Sequence, residues 1–292
     1  MLWRESAALI RCHGKRLGRH HHLSTSSSIF HSPSLRLFAS ATQYTIVEEG
    51  VDPEVLEKTV HKHFANLHRF LEAKPVAAHT EEAFATLASM LGSMGDAPII
   101  LDSGCGTGKS TVTLGQLYPD HTIVGVDRSL ARLTKNGIYR AQDDATIGDT
   151  CTNVVFVRAD LVDFWRLWTQ SSLLPKPVQH YLLYPNPYPK KRRFQNRWYA
   201  HPTLPLILRD LGSDKIVVRS NWKAYLEDFA SATSIANQLQ LDKGGSSNIY
   251  ACPPPVIMDP AQPAFSNFEQ KYFNCGEECY ELVLTKMAAT AS

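Results

Sequence analysis

Between residues 53 and 73 the apolar positions Val55, Leu56, Val60, Phe64, Leu67 and Leu71 recur at helical spacing, and Asp52-Pro53 supplies an N-cap followed by proline in the first turn. A second helix is predicted from Thr80 through "EEAFATLASMLGSM", ended by Gly95. From 98 onward the pattern changes to short, β-branched apolar runs separated by longer amphipathic ones. Strands are predicted at 98–102, 122–127, 153–158, 179–184 and 214–220, with a last one in "CYELVLTKM". Helices are predicted between them at 109–117, 129–141, 161–169, 201–211 and 222–239. That alternation predicts an α/β fold, a doubly wound sheet over 97–288 with an N-terminal helical extension over 44–96. "LDKGGSSN" and "CPPPVIMDPAQP" read as loops, and no internal repeat is visible.

Residues 1–43 follow neither pattern. They carry six Arg or Lys against one acid, Glu5, together with eight serines and five histidines. This is the composition of a transit peptide, so the expected location is a mitochondrion or plastid, and otherwise the cytoplasm. Without this segment the formal charge of +2 falls by 5 to −3, which excludes a globally basic nucleic-acid binder. No run of about 18 apolar residues occurs, so no membrane partner is expected. The six cysteines form no paired CxxC pattern; of His61, His63 and His68, the first and last are seven apart on a helix and His63 faces elsewhere, which reads as an exposed helix face and not a ligand set, so no metal is expected. The expected state is a monomer or weak homo-oligomer.

The candidate chemistry begins at "IILDSGCGTGKSTVTL". Gly108-Lys109-Ser110 resembles the end of a P-loop, but the glycine required five positions earlier is Ser103. The dinucleotide spacing GxGxxG also fails, since the glycines are Gly104, Gly106 and Gly108. What remains is a strand, a tight glycine turn and a helix. Asp127 ends the next strand, placed to accept from ribose hydroxyls, and Asp160 ends the third, placed to reach an adenine amine. One glycine turn with two strand-tip acids suits a nucleoside without a long phosphate tail, and S-adenosylmethionine is the common ligand of that kind.

A second motif follows the fourth strand: "YPNPYPKKRRFQNRWY". Pro185 and Pro187 stiffen the loop around Asn186, and Tyr188 is placed to stack on a base or close the methyl-donor pocket. Lys190, Lys191, Arg192, Arg193 and Arg197 alternate with Phe194, Trp198 and Tyr199, a pattern that neutralises phosphates and stacks bases. The expected partner is RNA, with Lys191, Arg192, Arg193 and Arg197 as its contacts.

With "LDSGCGTGKST", "IVGVDRS", "RAD", "YPNPYPKKRR", "RSNWKAYLEDF" and "SNFEQKY…GEECYELVL" in this order, the chain resembles the tRNA (guanine-N7-)-methyltransferase family of the TrmB type over about residues 98–286. The resemblance implies a Rossmann-like class I S-adenosylmethionine-dependent methyltransferase acting on tRNA. It implies that Asp102, Gly104, Cys105, Gly106, Gly108, Asp127, Arg128 and Asp160 serve the donor and that Asn186 stands at the catalytic position. It further implies that Lys190 and Asn221 stand at guanine-site positions, and that Ser266, Asn267, Phe268 and Glu269 form the closing substrate segment. The family usually has Asp where this chain has Asn186 and Asn221, and Trp where it has Tyr188. Asn-Pro-Tyr is also similar to the motif of amino-group methyltransferases. The open alternatives are another base or an amine or amide acceptor, and an inactive donor-binding RNA-binding subunit.

Overall fold

The computed structural model describes residues 50–288 apart from 138, 140–144, 149–150 and 244–247. The leader at 1–43 lies outside the described residues. Two helices come first, α1 (Pro53–Ala73) and α2 (Ala78–Met94). The Asp52 carboxylate accepts from the backbone N–H of Glu54 at 3.0 Å and of Val55 at 3.1 Å, the expected cap. α2 starts two residues before Thr80 and has no side-chain cap, while Gly95, at φ 86°, ends it as expected.

The remainder alternates: β1 (Ile99–Ser103), α3 (Lys109–Leu117), β2 (Thr122–Asp127), α4 (Leu130–Leu133), β3 (Ala145–Ile147), β4 (Val154–Arg158), α5 (Leu161–Gln170) and β5 (Gln179–Leu183). After these come β6 (Lys215–Ser220), α6 (Lys223–Asp242), β7 (Tyr250–Ala251), β8 (Val256–Ile257), α7 (Asn267–Asn274) and β9 (Tyr280–Lys286). The sheet order is β3-β4-β2-β1-β5-β6-β9-β7, with β8 also paired to β9. β4, β2, β1, β5 and β6 are parallel, and β9 returns antiparallel to β6. The chain runs outward from β1 to β4, then resumes on the other side at β5. The switch point therefore lies at the C-terminal end of β1, where open α/β sheets bind ligands.

Each central strand is buried on both faces. Ile99, Leu101, Val124, Val126, Leu182 and Val218 face the core that holds α1, α2, α5 and α6, while Ile100, Ile123, Phe156, Tyr181 and Val217 face the opposite core. The two N-terminal helices share the sheet's own core, so packing is continuous across residues 96 and 97. Two expected helices are broken. The one at 129–141 is α4 plus a single turn stopped by Gly137 at φ 71°. The one at 201–211 is shortened to a wide-turned stretch at 206–211. His201 precedes Pro202 and is extended, at φ −83° and ψ 148°, as a pre-proline residue must be.

Candidate functional site

The glycine turn is held from below. The N–H groups of Gly104 and Cys105 both donate to Val126 O, at 2.7 and 3.1 Å, which pins the turn to the end of β2. Gly104, Gly106 and Gly108 all have positive φ, at 83°, 61° and 81°, where a side chain would be strained. Beyond its chain neighbours, a Cβ on Gly104 would meet only Leu161 Cδ1, at 4.0 Å, and one on Gly106 only Gly104 O, at 4.0 Å, so neither position is crowded. Beneath them Asp102 is 1% exposed. Its Oδ2 accepts from Ser110 Oγ at 2.6 Å and Thr111 Oγ1 at 2.7 Å, which fastens the start of α3. Its Oδ1 is buried with no partner, and burial raises its pKa to about 6. Burial likewise pushes the Cys105 thiol well up, so this cysteine is a packing residue with little thiolate character.

The strand-tip acids are more occupied than their positions suggest. Asp127, 4% exposed, accepts from Gly106 N at 3.1 Å and from Ser129 N at 2.8 Å. It thereby joins the glycine turn to the loop after β2, and Arg128 beside it is exposed. Asp160 caps α5 through Val162 N at 3.1 Å and forms an ion pair with Lys74 at 3.2 Å. Lys74 also meets the buried Asp163 at 2.5 Å, which ties the end of α1 to the start of α5.

Asn186 lies at the C-terminal end of β5, exposed, with its Oδ1 accepting from Tyr188 N at 3.1 Å. The two tyrosines around this Asx turn, Tyr184 (φ 50°) and Tyr188 (φ 43°), are the non-glycine residues with positive φ among the described residues. Such strain persists only where neighbours impose it. Tyr184 N donates to Arg219 O at 2.8 Å, and Arg197 Nη2 donates to Tyr188 O at 3.2 Å.

Lys191, Arg192 and Arg193 are exposed on a tight turn spanning 191–196, with Lys190 exposed just before it. Arg197 corrects the expectation of an RNA contact: it is 5% exposed and cannot present its charge to RNA. Its Nη1 donates to Tyr199 Oη at 2.7 Å, and that hydroxyl donates to Asp228 at 2.7 Å. Asp228 also accepts from Val51 N, so the node joins the start of α1, the basic turn and α6. The aromatic residues are corrected with it. Tyr199 is fully buried, and Phe194 and Trp198 pack against the core, so they anchor the turn and do not offer faces to bases.

Asn221 follows β6 directly, and its Nδ2 donates to Glu277 at 3.0 Å. The segment expected to close over the substrate is the start of α7. Ser266 caps it by accepting from Glu269 N at 3.1 Å, Asn267 reaches back to Thr107 Oγ1 of the glycine turn at 2.9 Å, and Phe268 is 51% exposed. Glu269 points inward: it is 1% exposed and pairs with Arg219 Nη1 at 3.3 Å. Its expected contact with substrate is thus replaced by an internal ion pair. Arg219 was not foreseen. It also meets Glu281 at 2.7 Å and stacks over the Phe265 ring, its carbon 4.1 Å from the centroid. Arginine at a strand end with two glutamates about fifty and sixty residues on carries no local pattern. Ser266 with Glu269 three residues later does, and this helix-start signature marks α7. Among the described residues no group of three or more metal-ligating side chains occurs.

Residues 96–282 match the family model Methyltransf_4, described as "Putative methyltransferase". A tRNA (guanine-N(7)-)-methyltransferase of Mycolicibacterium gilvum (strain PYR-GCK) is 33% identical over 115 residues, covering 38% of this chain and 41% of that protein. The protein of the same name from Mycobacterium ulcerans (strain Agy99) is 26% identical over 196 residues, 65% of this chain and 64% of that one. The chain thus matches less than two thirds of the length of either relative. Among solved structures, the antibiotic-resistance methyltransferase Kmr aligns with a TM-score of 0.42 and 17% identity over 70% of this chain and 94% of that one.

Proposed function

Because the chain belongs to the Methyltransf_4 family of methyltransferases, we propose that it transfers a methyl group from S-adenosylmethionine to N7 of a guanine in tRNA. One observation carries the reading: an open glycine cradle at Gly104 and Gly106 lies over a buried, unpaired carboxylate oxygen of Asp102. That combination fits the donor, since the cradle admits a flat nucleoside and Asp102 suits the ammonium of its methionine end. Bound there, S-adenosylmethionine supplies a methyl group on a sulfonium sulfur. Guanine N7 attacks with a lone pair, so no side chain need remove a proton. The work of the chain is alignment and support of the positive charge left on the purine. Asn186, fixed by its Asx turn at the end of β5, is positioned to align the base. The test is mass spectrometry of nucleosides from bulk tRNA incubated with protein and donor. N7-methylguanosine is the expected product, and a different methylated nucleoside in its place would reassign the acceptor.

If Asp102 holds the donor's ammonium, affinity follows its ionisation. Its folded pKa of about 6 lies above its ordinary 3.8, so the charged form is present above pH 6 and is lost below it. Affinity for the demethylated donor product should fall about tenfold from pH 7 to pH 5 and become flat in Asp102→Asn. Calorimetry at three pH values measures this, and a flat wild-type profile would remove Asp102 from the donor site. The same shift opposes folding above pH 6, so this group's contribution to stability rises as pH falls from 6 to 3.8.

The exposed cations at 191–193 supply the tRNA contact in this reading. Replacing Lys191, Arg192 and Arg193 with Ala should weaken tRNA binding and reduce the slope of log affinity against log salt by about two. An unchanged slope in a filter-binding titration would place the RNA surface elsewhere.

A further inference from the structure

At the end of β6, next to the loop that carries Asn186, lies a cavity of about 290 Å³ lined by Asn221, Glu277, Glu278 and Tyr280. Register places it there: Leu183 of β5 is paired with Arg219 of β6, two residues before Asn221. The carboxylates at this end of the sheet are not equivalent. Arg219 neutralises Glu269 and Glu281, and Glu278 accepts from the Tyr280 hydroxyl. Glu277 has no cationic partner among the described residues and is held by the Asn221 amide at 3.0 Å. Its backbone is fixed as well. Gly276 turns at φ 69°, and Glu277 N donates to Tyr272 O at 3.0 Å, which closes the end of α7. The result is a half-buried, pre-positioned carboxylate facing a cavity large enough for part of a base.

We propose that Glu277 is the residue that reads guanine in this protein, accepting from the base N1–H and 2-amino groups while Asn221 holds it in place. The inference rests on the guanine reading above and names the group that recognises the base. Guanine is the standard base with two adjacent donors on its Watson–Crick edge, and a carboxylate accepts both at once. Glu277 also supplies what Asn186 and Asn221 lack. As N7 forms its bond to carbon and the purine becomes cationic, a fixed negative charge stands on the far edge of the ring. No proton leaves in this step, so Glu277 serves as acceptor and counter-charge, not as a base.

GMP and IMP differ only in the 2-amino group and provide the test. Each is titrated by NMR into the full chain saturated with the demethylated donor product. The wild type should bind GMP about tenfold or more tighter than IMP, because a site built around a donor rejects the analogue lacking it. In Glu277→Ala the preference should collapse to near one, in Glu277→Gln it should fall between, and donor-product affinity and melting temperature should hold in both. Equal binding of GMP and IMP by the wild type, no GMP binding, or a preference retained in Glu277→Ala would each overturn the assignment. Formation of N7-methylguanosine in tRNA with the preference retained in Glu277→Ala overturns the role of Glu277 and leaves the reaction standing. Absence of N7-methylguanosine with a Glu277-dependent GMP preference overturns the reaction and leaves a guanine site.

Discussion

Replacing Arg219 with Met should lower folding stability by about 3–5 kcal/mol, the cost of stranding buried charge by removing its partner. The arginine is 9% exposed and its partner Glu269 is 1% exposed. Methionine keeps most of the packing on Phe265 but leaves Glu269 and Glu281 side by side without a cation. Burial already raises the Glu269 pKa above its ordinary 4.5 with the Arg219 guanidinium in place. Loss of that cation raises it further. An acid whose folded pKa is raised destabilises above that pKa and is relieved as pH falls through it, so the deficit should shrink toward pH 5. Adding Glu269→Gln to the variant should recover part of it at pH 7. Urea unfolding at the two pH values reads both effects, and a loss below about 1 kcal/mol at pH 7 would show that Arg219 does not bind the end of the sheet together.

The second large effect is expected at Asn186. Asn186→Ala should slow single-turnover methylation about a hundredfold while leaving donor-product affinity unchanged, since misplacing a reacting group by about 1 Å costs that much. The reason is local. Oδ1 of Asn186 closes the turn onto Tyr188 N between two left-handed tyrosines, a conformation costing roughly 1–3 kcal/mol at each. Alanine cannot close that turn, and the loop would relax. Asn186→Asp keeps the acceptor oxygen and adds negative charge near the forming cation, so its rate should equal or exceed the wild type's. A wild-type rate in Asn186→Ala would take this loop out of the catalytic centre.

The sheet was legible because burial on both faces writes strands as continuous apolar runs: 122–127 is the same in sequence and structure. The glycine turn was legible because its spacing excluded the two phosphate-binding alternatives, and α3 begins at Lys109 as predicted. The short strands at 145–147, 250–251 and 256–257 were missed, since two or three residues carry no period. His63 was placed on a different side of the helix from His61 and His68, but its partner was not legible: it is buried and bonds Ala200 O at 3.1 Å, a contact 137 residues away. Arg197 was misread for the same reason. In sequence it is one more cation in a basic run, and only the fold brings Tyr199 and Asp228 to it. Charge type is local information, whereas the side of the chain that faces inward is decided by distant partners.

The bond from Asn267 to Thr107 gives the two ends of the cleft a shared equilibrium. Thr107 sits inside the glycine turn, and Asn267 is the first residue of α7, whose far end sets Glu277. Anything that stiffens the turn also favours one position of α7, and an occupant beside α7 must favour one form of the turn. Such coupling is reciprocal by thermodynamic necessity. Donor and acceptor should therefore each tighten the binding of the other by the same factor, and Asn267→Ala, which breaks this bond, should bring that factor toward one.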